Sequence, residues 1–359
     1  MHALCLISGD HEAQLDHLAS LASLLTLPLF VTDLNIYDKA LKFYPFTKTH
    51  LMEESSLLDL LASCDLVFVS CKHFSKQLAA TLNFFFKKSP RFCYCPHGNS
   101  DKGWSVTNDL LQDQDLSLVY GRSMLNMLKK KNVLSSLNGT FTTGNYRLLY
   151  YRKHQDFYDS LAQRDIFSKF SSSRLNVFYA PTWKDGESNS SFFKLKSFIT
   201  EDFPAHLNLI IKLHPTLEKD ETAAVYNFLA TCDNNPQIHI IKNFPPIYPI
   251  LNKVDALLSD VSSVGYDYLY FDRPIYLIPP SSLDNNQLKT LKLTSCSKII
   301  NPQQLSCFLL DLDKNISKDQ QAFEKKRKKL YAQTFDNSLS KETFAPTLLA
   351  YMKEKLYEF

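Results

Sequence analysis

The residues best suited to chemistry in this chain lie in polar clusters, each of which directly follows an apolar run. SDVSS, with Asp260, Ser262 and Ser263, follows VDALL, and LHP, with His214 and Pro215, ends LNLIIK, where Lys212 stands two residues before the histidine. APTWKDG, with Thr182, Trp183, Lys184 and Asp185, ends LNVFY. PHGNSDKGW, with His97, Gly98, Lys102 and Trp104, ends RFCYC, and TTGNYR supplies Gly144 and Arg147. Ser259 or Asp260 suits the N-cap of a following helix, because a short side-chain oxygen can accept an orphan backbone N–H. One cap does not account for the acid and serines that follow in succession. A helix start also offers free N–H groups and a partial positive charge, which suit a phosphate, and Ser262 and Ser263 would add hydroxyl donors.

The histidines fit complementary work. His97 has the side chain whose ordinary titration range suits a general base near neutral pH, Gly98 lets backbone approach a ligand closely, and Lys102 adds a cation. His214 can donate to a phosphoryl oxygen. Taken singly, each residue also has a plain structural reading: a surface or capping His97, a His214 bonded to backbone, a packed Trp183, a solvated Lys184 or Arg147. Clusters that all end strands, drawn from both halves of the chain, favour a shared site.

The elements that must position these clusters read as alternating strands and helices. HALCLIS, Leu27–Thr32, DLVFVS, RFCYC and LSLVY have the pattern of buried strands, with helical spacing over Glu12–Thr26, Phe74–Lys88 and Arg122–Lys131. FTTGNYR reads as a strand entering a turn, and Leu148–Phe170 as one long helix. In the second half, LNVFYAPTW, Leu207–Leu213, Ile238–Ile241, Asp255–Ser259 and PIYLIP read as strands. Helices are expected over Glu218–Ala230, Ser262–Phe271, Pro302–Leu312 and Asp319–Gln333. Strands separated by helices imply βαβ units on parallel sheets, whose ligands bind beyond the carboxyl ends of the strands. SSSRL, Ser171–Leu175, is the most linker-like point.

Length and composition agree with two soluble domains. The chain has 359 residues, 45% hydrophobic and 21% charged, which is more than one small core needs. A net charge of +3 is too small to argue for nucleic acid. Only Cys93 and Cys95 are close enough to pair as ligands, so reduced, buried thiols are expected rather than a zinc site. No apolar run approaches the roughly 20 residues of a membrane span, and MHALCLISGDHE lacks the features of a signal peptide. The basic run Lys325, Lys326, Arg327, Lys328 and Lys329 reads as a solvated helix face or as a contact to anionic lipid.

YAPTWKD, IKLHP and SDVSSVGYDYLYFDRP, in this order and spacing, resemble the carboxy-terminal half of the CDP-glycerol glycerophosphotransferase family, the teichoic-acid-type alditol-phosphate primases and polymerases. Asp272, Arg273 and Pro274 match the family's Asp-Arg-Pro, and His97, Gly98 and Lys102 its histidine-glycine motif with a lysine five residues after the histidine. GNYR resembles its Gly-x-Pro-Arg turn, and FDNSLSKE, Phe335–Glu342, its final Asp-Gly-x-x-Ser turn. The chain departs from the pattern at Pro96, Tyr146 and Val261.

The resemblance implies an α/β fold of the GT-B type, with two Rossmann-like doubly wound lobes facing across a cleft. Residues 1–168 would form the acceptor-side domain, and residues 169–359 the nucleotide-donor domain with its C-terminal helices. It implies metal-independent transfer of an alditol phosphate from a CDP-alditol to a hydroxyl acceptor, lipid-linked or otherwise, with release of CMP. His97 would be the general base, His214 a contact to the transferred phosphate, and Ser262 and Ser263 contacts to the diphosphate. Asp260, Thr182, Lys184, Lys212 and Arg147 would complete the donor site, with Gly98, Lys102, Trp183 and Asp185 on the acceptor side or in the cleft. No resident cofactor is implied, and the expected location is the cytoplasm, peripheral on the membrane's cytoplasmic face. A GT-B glycosyltransferase using a nucleotide sugar, and a non-catalytic nucleotide-binding shell, remain open alternatives.

Overall fold

Largely apolar runs with no exposed position, such as Leu66–Val69, Leu116–Val119 and Leu207–Ile211, form the centres of two sheets. Such uniform burial is the mark of parallel strands covered on both faces. The computed structural model describes residues 1–70, 75–99, 101, 111, 114–183, 190–279, 284–336 and 339–357. These fall into two compact units: Met1–Asn99, Gly103–Gln155 and Gln333–Phe359 in the first, Ser100–Lys102 and Asp156–Ala332 in the second.

The first unit is built on β1 (Ala3–Ile7), β2 (Leu29–Val31), β3 (Thr49–Leu51), β4 (Leu66–Val69), β5 (Arg91–Tyr94), β6 (Leu116–Val119) and β7 (Gly139–Thr142). Their order is β3-β2-β1-β4-β5-β6-β7, every pairing parallel. The order reverses between β1 and β4, the topological switch point of a doubly wound sheet. In the second unit β8 (Leu175–Ala180), β9 (Leu207–Ile211), β10 (Ile238–Ile240), β11 (Ala256–Ser259), β12 (Ile275–Leu277) and β13 (Lys298–Ile299) follow the order β10-β9-β8-β11-β12-β13. That sheet is parallel as well, with its switch point between β8 and β11. The expected α/β class with two Rossmann-like units is the observed one.

Several elements depart from the sequence expectation. Helix Leu34–Phe43 was not expected; Asp33 caps it by accepting the Ile36 N–H, and Ile36, Ala40 and Phe43 share its buried face. The long helix expected over Leu148–Phe170 is broken into Tyr146–Lys153, Gln155–Asp165 and a single turn at Phe167–Lys169. The units divide at Gln155 and Asp156 rather than at 168 and 169, and Gln333–Phe359 joins the first unit instead of the second. The cause is helix Lys341–Tyr357, which was not expected from the sequence. It buries Phe344, Leu348 and Met352, and packs on helices Leu15–Leu25 and Tyr146–Lys153 and on β7.

Candidate functional site

In the second unit β9, β8 and β11 are neighbours, so LHP, APTW and SDVSS leave the same end of three adjacent strands. The switch point between β8 and β11 is therefore where APTW meets SDVSS. Asp260 makes the junction. Its fully buried carboxylate accepts the Thr182 N–H at 2.7 Å and the Ser191 N–H at 3.0 Å, and the Ser190 hydroxyl closes on the Thr182 carbonyl at 2.6 Å. Asp260, expected at the donor site, turns its oxygens to these backbone donors and organises this loop. Thr182 is buried beside it. Lys184 and Asp185 lie outside the described residues.

The serines divide their work. Ser259 donates to the Ala180 carbonyl at 2.7 Å, so across the 3.2 Å gap between the two hydroxyls Ser262 is the donor. Ser262, rather than Ser259 or Asp260, occupies the N-cap position of helix Ser263–Tyr268, in extended backbone and without a side-chain cap bond. Ser263 is half-buried, and its hydroxyl makes no hydrogen bond with the described residues. Asp-Arg-Pro, at the far end of this segment, is structural. Asp272 takes a left-handed φ of 50° that ends the helix, and Arg273 donates to the carbonyls of Asn252 and Val254 at 2.8 and 2.6 Å.

His214 ends the strand segment and starts helix Pro215–Asp220, where its Nδ1 accepts the Thr216 N–H at 3.2 Å. A neutral imidazole with an accepting Nδ1 carries its proton on Nε2, so His214 presents an N–H donor rather than a base. Its ring lies 6.3 Å from that of Trp183, which is half-buried against the core. Lys212 points its ammonium to the Phe244 carbonyl at 2.5 Å.

In the first unit His97 follows β5 and is exposed. Gly98 has φ 125°, a conformation that favours glycine, so the turn behind His97 depends on this residue. The Tyr94 hydroxyl lies 3.4 Å from His97 Nδ1. Beneath the loop, Tyr120 donates to the Pro96 carbonyl at 2.6 Å and lies 3.0 Å from Nδ1 of His17. The phenol has spent its one proton on Pro96, so His17 is the donor and its Nε2 is the bare nitrogen. Burial, then the nearby Arg147 and His97, hold the His17 pKa well below its ordinary 6.5, so the ring is neutral. Tyr120 is itself packed between Tyr146, stacked at 6.0 Å, and Phe335, edge-on at 5.7 Å. Sequence reasoning missed His17 and Tyr120; both sit in apolar runs that read as core.

Arg147, expected at the donor, is buried in the first unit and pairs with Asp16 at 2.8 Å. GNYR is a helix start, with Asn145 accepting the Leu148 N–H and Tyr146 bonded to Cys95 at 2.9 Å. Lys102 lies outside the described residues. Cys5, Cys64, Cys93, Cys95, Cys232 and Cys296 are buried free thiols, and burial pushes Cys95 up to about 12. Cys307 departs from the expectation by being exposed.

The basic run is not one face. Arg327 is fully buried in an ion pair with Asp272 at 2.8 Å and a hydrogen bond to Gln320 at 2.7 Å, and Lys328 pairs with Glu324 and Asp272. Five successive helical residues span more than a full turn, which sends Arg327 inward. Lys325, Lys326 and Lys329 remain exposed.

Comparison with known proteins sets the class first. The chain has the fold of GT-B-like α/β proteins. A structure of the wall teichoic acid polymerase TagF matches with a TM-score of 0.64 and 15% identity, covering 99% of this chain and 90% of that one. A TagF variant soaked with CDPG matches at 0.65 and 14%, with the same coverage. UDP-GlcNAc 2-epimerase from Neisseria meningitidis, bound to UDP-GlcNAc, matches at 0.62 and 12%, covering 99% of this chain and all of that one. By sequence, residues 155–282 match the model described as CDP-Glycerol:Poly(glycerophosphate) glycerophosphotransferase, and this span contains YAPTWKD, IKLHP and SDVSSVGYDYLYFDRP. No curated protein matches the chain by sequence.

Proposed function

We propose that this protein transfers an alditol phosphate, glycerol phosphate foremost, from a CDP-alditol to a hydroxyl acceptor and releases CMP. One observation carries the reading: the family-matched segment contains three motifs that the second sheet brings out side by side at its switch point. Ligands of doubly wound sheets bind at that end. The epimerase shares the fold, so the fold alone does not choose between a CDP-alditol and a nucleotide sugar. The family match favours the CDP-alditol.

In the proposed reaction His97 takes the proton of the acceptor hydroxyl, whose oxygen attacks the phosphorus bearing the alditol. The bond from that phosphorus to the bridging oxygen breaks, and CMP leaves with the electron pair. His97 serves as base when its Nδ1–H donates to Tyr94 and Nε2 is bare. His214 Nε2–H and Ser263 donate to the phosphate oxygens, joined by Ser262 once its hydroxyl turns from Ser259 to the ligand. Positioned donors of this kind contribute most to phosphoryl transfer. The acceptor is a hydroxyl on an envelope polymer or its lipid-linked starter.

Thermal unfolding against CMP, CDP-glycerol, CDP-ribitol, UDP and UDP-sugars tests the donor. A ligand at a hundred times its Kd stabilises the fold by about 2.7 kcal/mol. Stabilisation by the cytidine ligands supports the proposal; stabilisation by UDP-sugars alone replaces it with glycosyl transfer.

A further inference from the structure

Helix Ser75–Phe86 of the first unit ends in a segment that its own fold leaves uncovered. Earlier in the helix Leu82 is fully buried, and Leu78 and Ala79 pack on the cluster of Leu57, Leu61 and Val67. Every residue from Asn83 to Lys88 is then exposed. Phe84, Phe85 and Phe86 are 72, 66 and 40% exposed. Successive helical residues point about 100° apart, so three in a row cannot share one face. All three are exposed only because the helix end stands clear of the unit's surface. Lys87 stops the helix at a left-handed φ of 54°.

Single exposed apolar residues are ordinary, but three adjacent phenylalanines are not. Their flanks identify the partner. Lys87 places its ammonium 5.8 Å from the Phe84 ring centroid, and Lys88 lies 3.4 Å from Asp65. The tip itself carries two lysines and no acid. Rings that enter the boundary between headgroups and acyl chains, with ammonium groups at the level of the headgroups, match an anionic bilayer surface. No helix among the described residues is long and apolar enough to cross a membrane. The basic run at 325–329 turns its arginine inward, and the ring beneath Lys326, Phe323, is half-buried.

We propose that Phe84, Phe85 and Phe86 insert into the interfacial layer of an anionic membrane, with Lys87 and Lys88 on its headgroups. This surface is independent of the donor and acceptor assignments, and its test uses neither. The full chain is floated with vesicles of phosphatidylcholine alone and of equal parts phosphatidylcholine and phosphatidylglycerol. The expected result is co-flotation with the anionic vesicles, reduced about tenfold or more in Phe84→Ser/Phe85→Ser/Phe86→Ser. Lys87→Glu/Lys88→Glu should weaken binding and remove most of its salt sensitivity. Both variants alter exposed positions, and unchanged circular dichroism will establish that they fold. The proposal is overturned if the wild-type chain stays with neither vesicle, or if the phenylalanine variant floats as the wild type does. It is also overturned if light scattering shows a dimer that those phenylalanines hold together, since the surface would then belong to a second copy.

Discussion

The Tyr120 hydroxyl donates to the carbonyl of Pro96 at 2.6 Å, one residue before His97. The proposed base is thus placed from below by a buried phenol, while its own side chain is exposed. Tyr120→Phe removes that bond and leaves the ring packing between Tyr146 and Phe335 in place. Small displacements of a reacting group can cost up to about 100-fold in rate. We expect kcat to fall about 10- to 100-fold with the KM for donor nearly unchanged. Steady-state kinetics with CDP-glycerol will check the split; an equal loss in both parameters would make Tyr120 a general support of the fold.

His17 gives the first unit an acid sensitivity of known sign. Its folded pKa lies well below the ordinary 6.5, so the unfolded chain binds the proton more readily. Its contribution is complete above about pH 6.5 and is lost as the pH falls toward the folded value. His154 and His239, both lowered to about 4 chiefly by burial, act in the same direction between 6.5 and 4. His17→Asn puts an amide N–H near the Nδ1 position, keeping a donor for Tyr120, but does not titrate. Urea midpoints at pH 7 and pH 5 should therefore differ less in this variant than in the wild type. An equal difference would exclude His17 as a contributor.

What the sequence made legible follows from which forces are local. Alternating strands and helices, and the clusters at strand ends, are written in short windows, and β8, β9 and β11 appear where expected. Helix Leu34–Phe43 is also written locally, in Asp33 and the spacing of Ile36, Ala40 and Phe43. Other features depend on partners distant in sequence. Asp260 reads as a ligand until Thr182 and Ser191 are seen to occupy its oxygens, and Arg147 until Asp16 is seen beside it. Arg327 belongs to a basic run in one dimension and to Asp272 in three. Tyr120 and His17 resemble core residues because they are core residues, with polar atoms joined beneath the His97 loop.

Asp260 should matter for stability before it matters for chemistry. It satisfies the N–H groups of Thr182 and Ser191, the two ends of the segment that carries Lys184 and Asp185. Asp260→Ala leaves two buried donors without their acceptor, at a cost of about 1–3 kcal/mol each. The unfolding midpoint should fall clearly even without ligand. A normal midpoint with lost donor binding would return Asp260 to the donor site.

His97 and the serine pair should separate kinetically. His97→Ala should lower turnover by about 100-fold or more while donor affinity holds, as removal of a general base does. Ser262→Ala with Ser263→Ala should instead weaken donor binding, because hydrogen bonds to a charged phosphate are lost. Calorimetric titration with CDP-glycerol beside a turnover assay reads both. Donor affinity that collapses in His97→Ala would remove the base assignment, and unchanged affinity in the serine variant would remove the phosphate site.

Arg327 distinguishes a structural cation from a surface charge within one basic run. Its guanidinium is fully buried, and its Nε lies 2.8 Å from Asp272 Oδ1, at the residue whose left-handed backbone ends the SDVSS segment. Arg327→Ala leaves Asp272 only the exposed Lys328 as a cation and opens a void, so its cost should approach that of breaking a buried pair from one side, about 3–5 kcal/mol. Arg327→Met with Asp272→Asn fills the void and removes the carboxylate charge, so it should recover much of that loss. Lys325→Glu, Lys326→Glu and Lys329→Glu change exposed positions and should each stay within about 0.5 kcal/mol of the wild type. Thermal unfolding of the series will show this ordering if the run is held to the fold chiefly through Arg327. Equal, small effects at all of these positions would mean that Arg327 is no anchor, and that the run acts only through its charge.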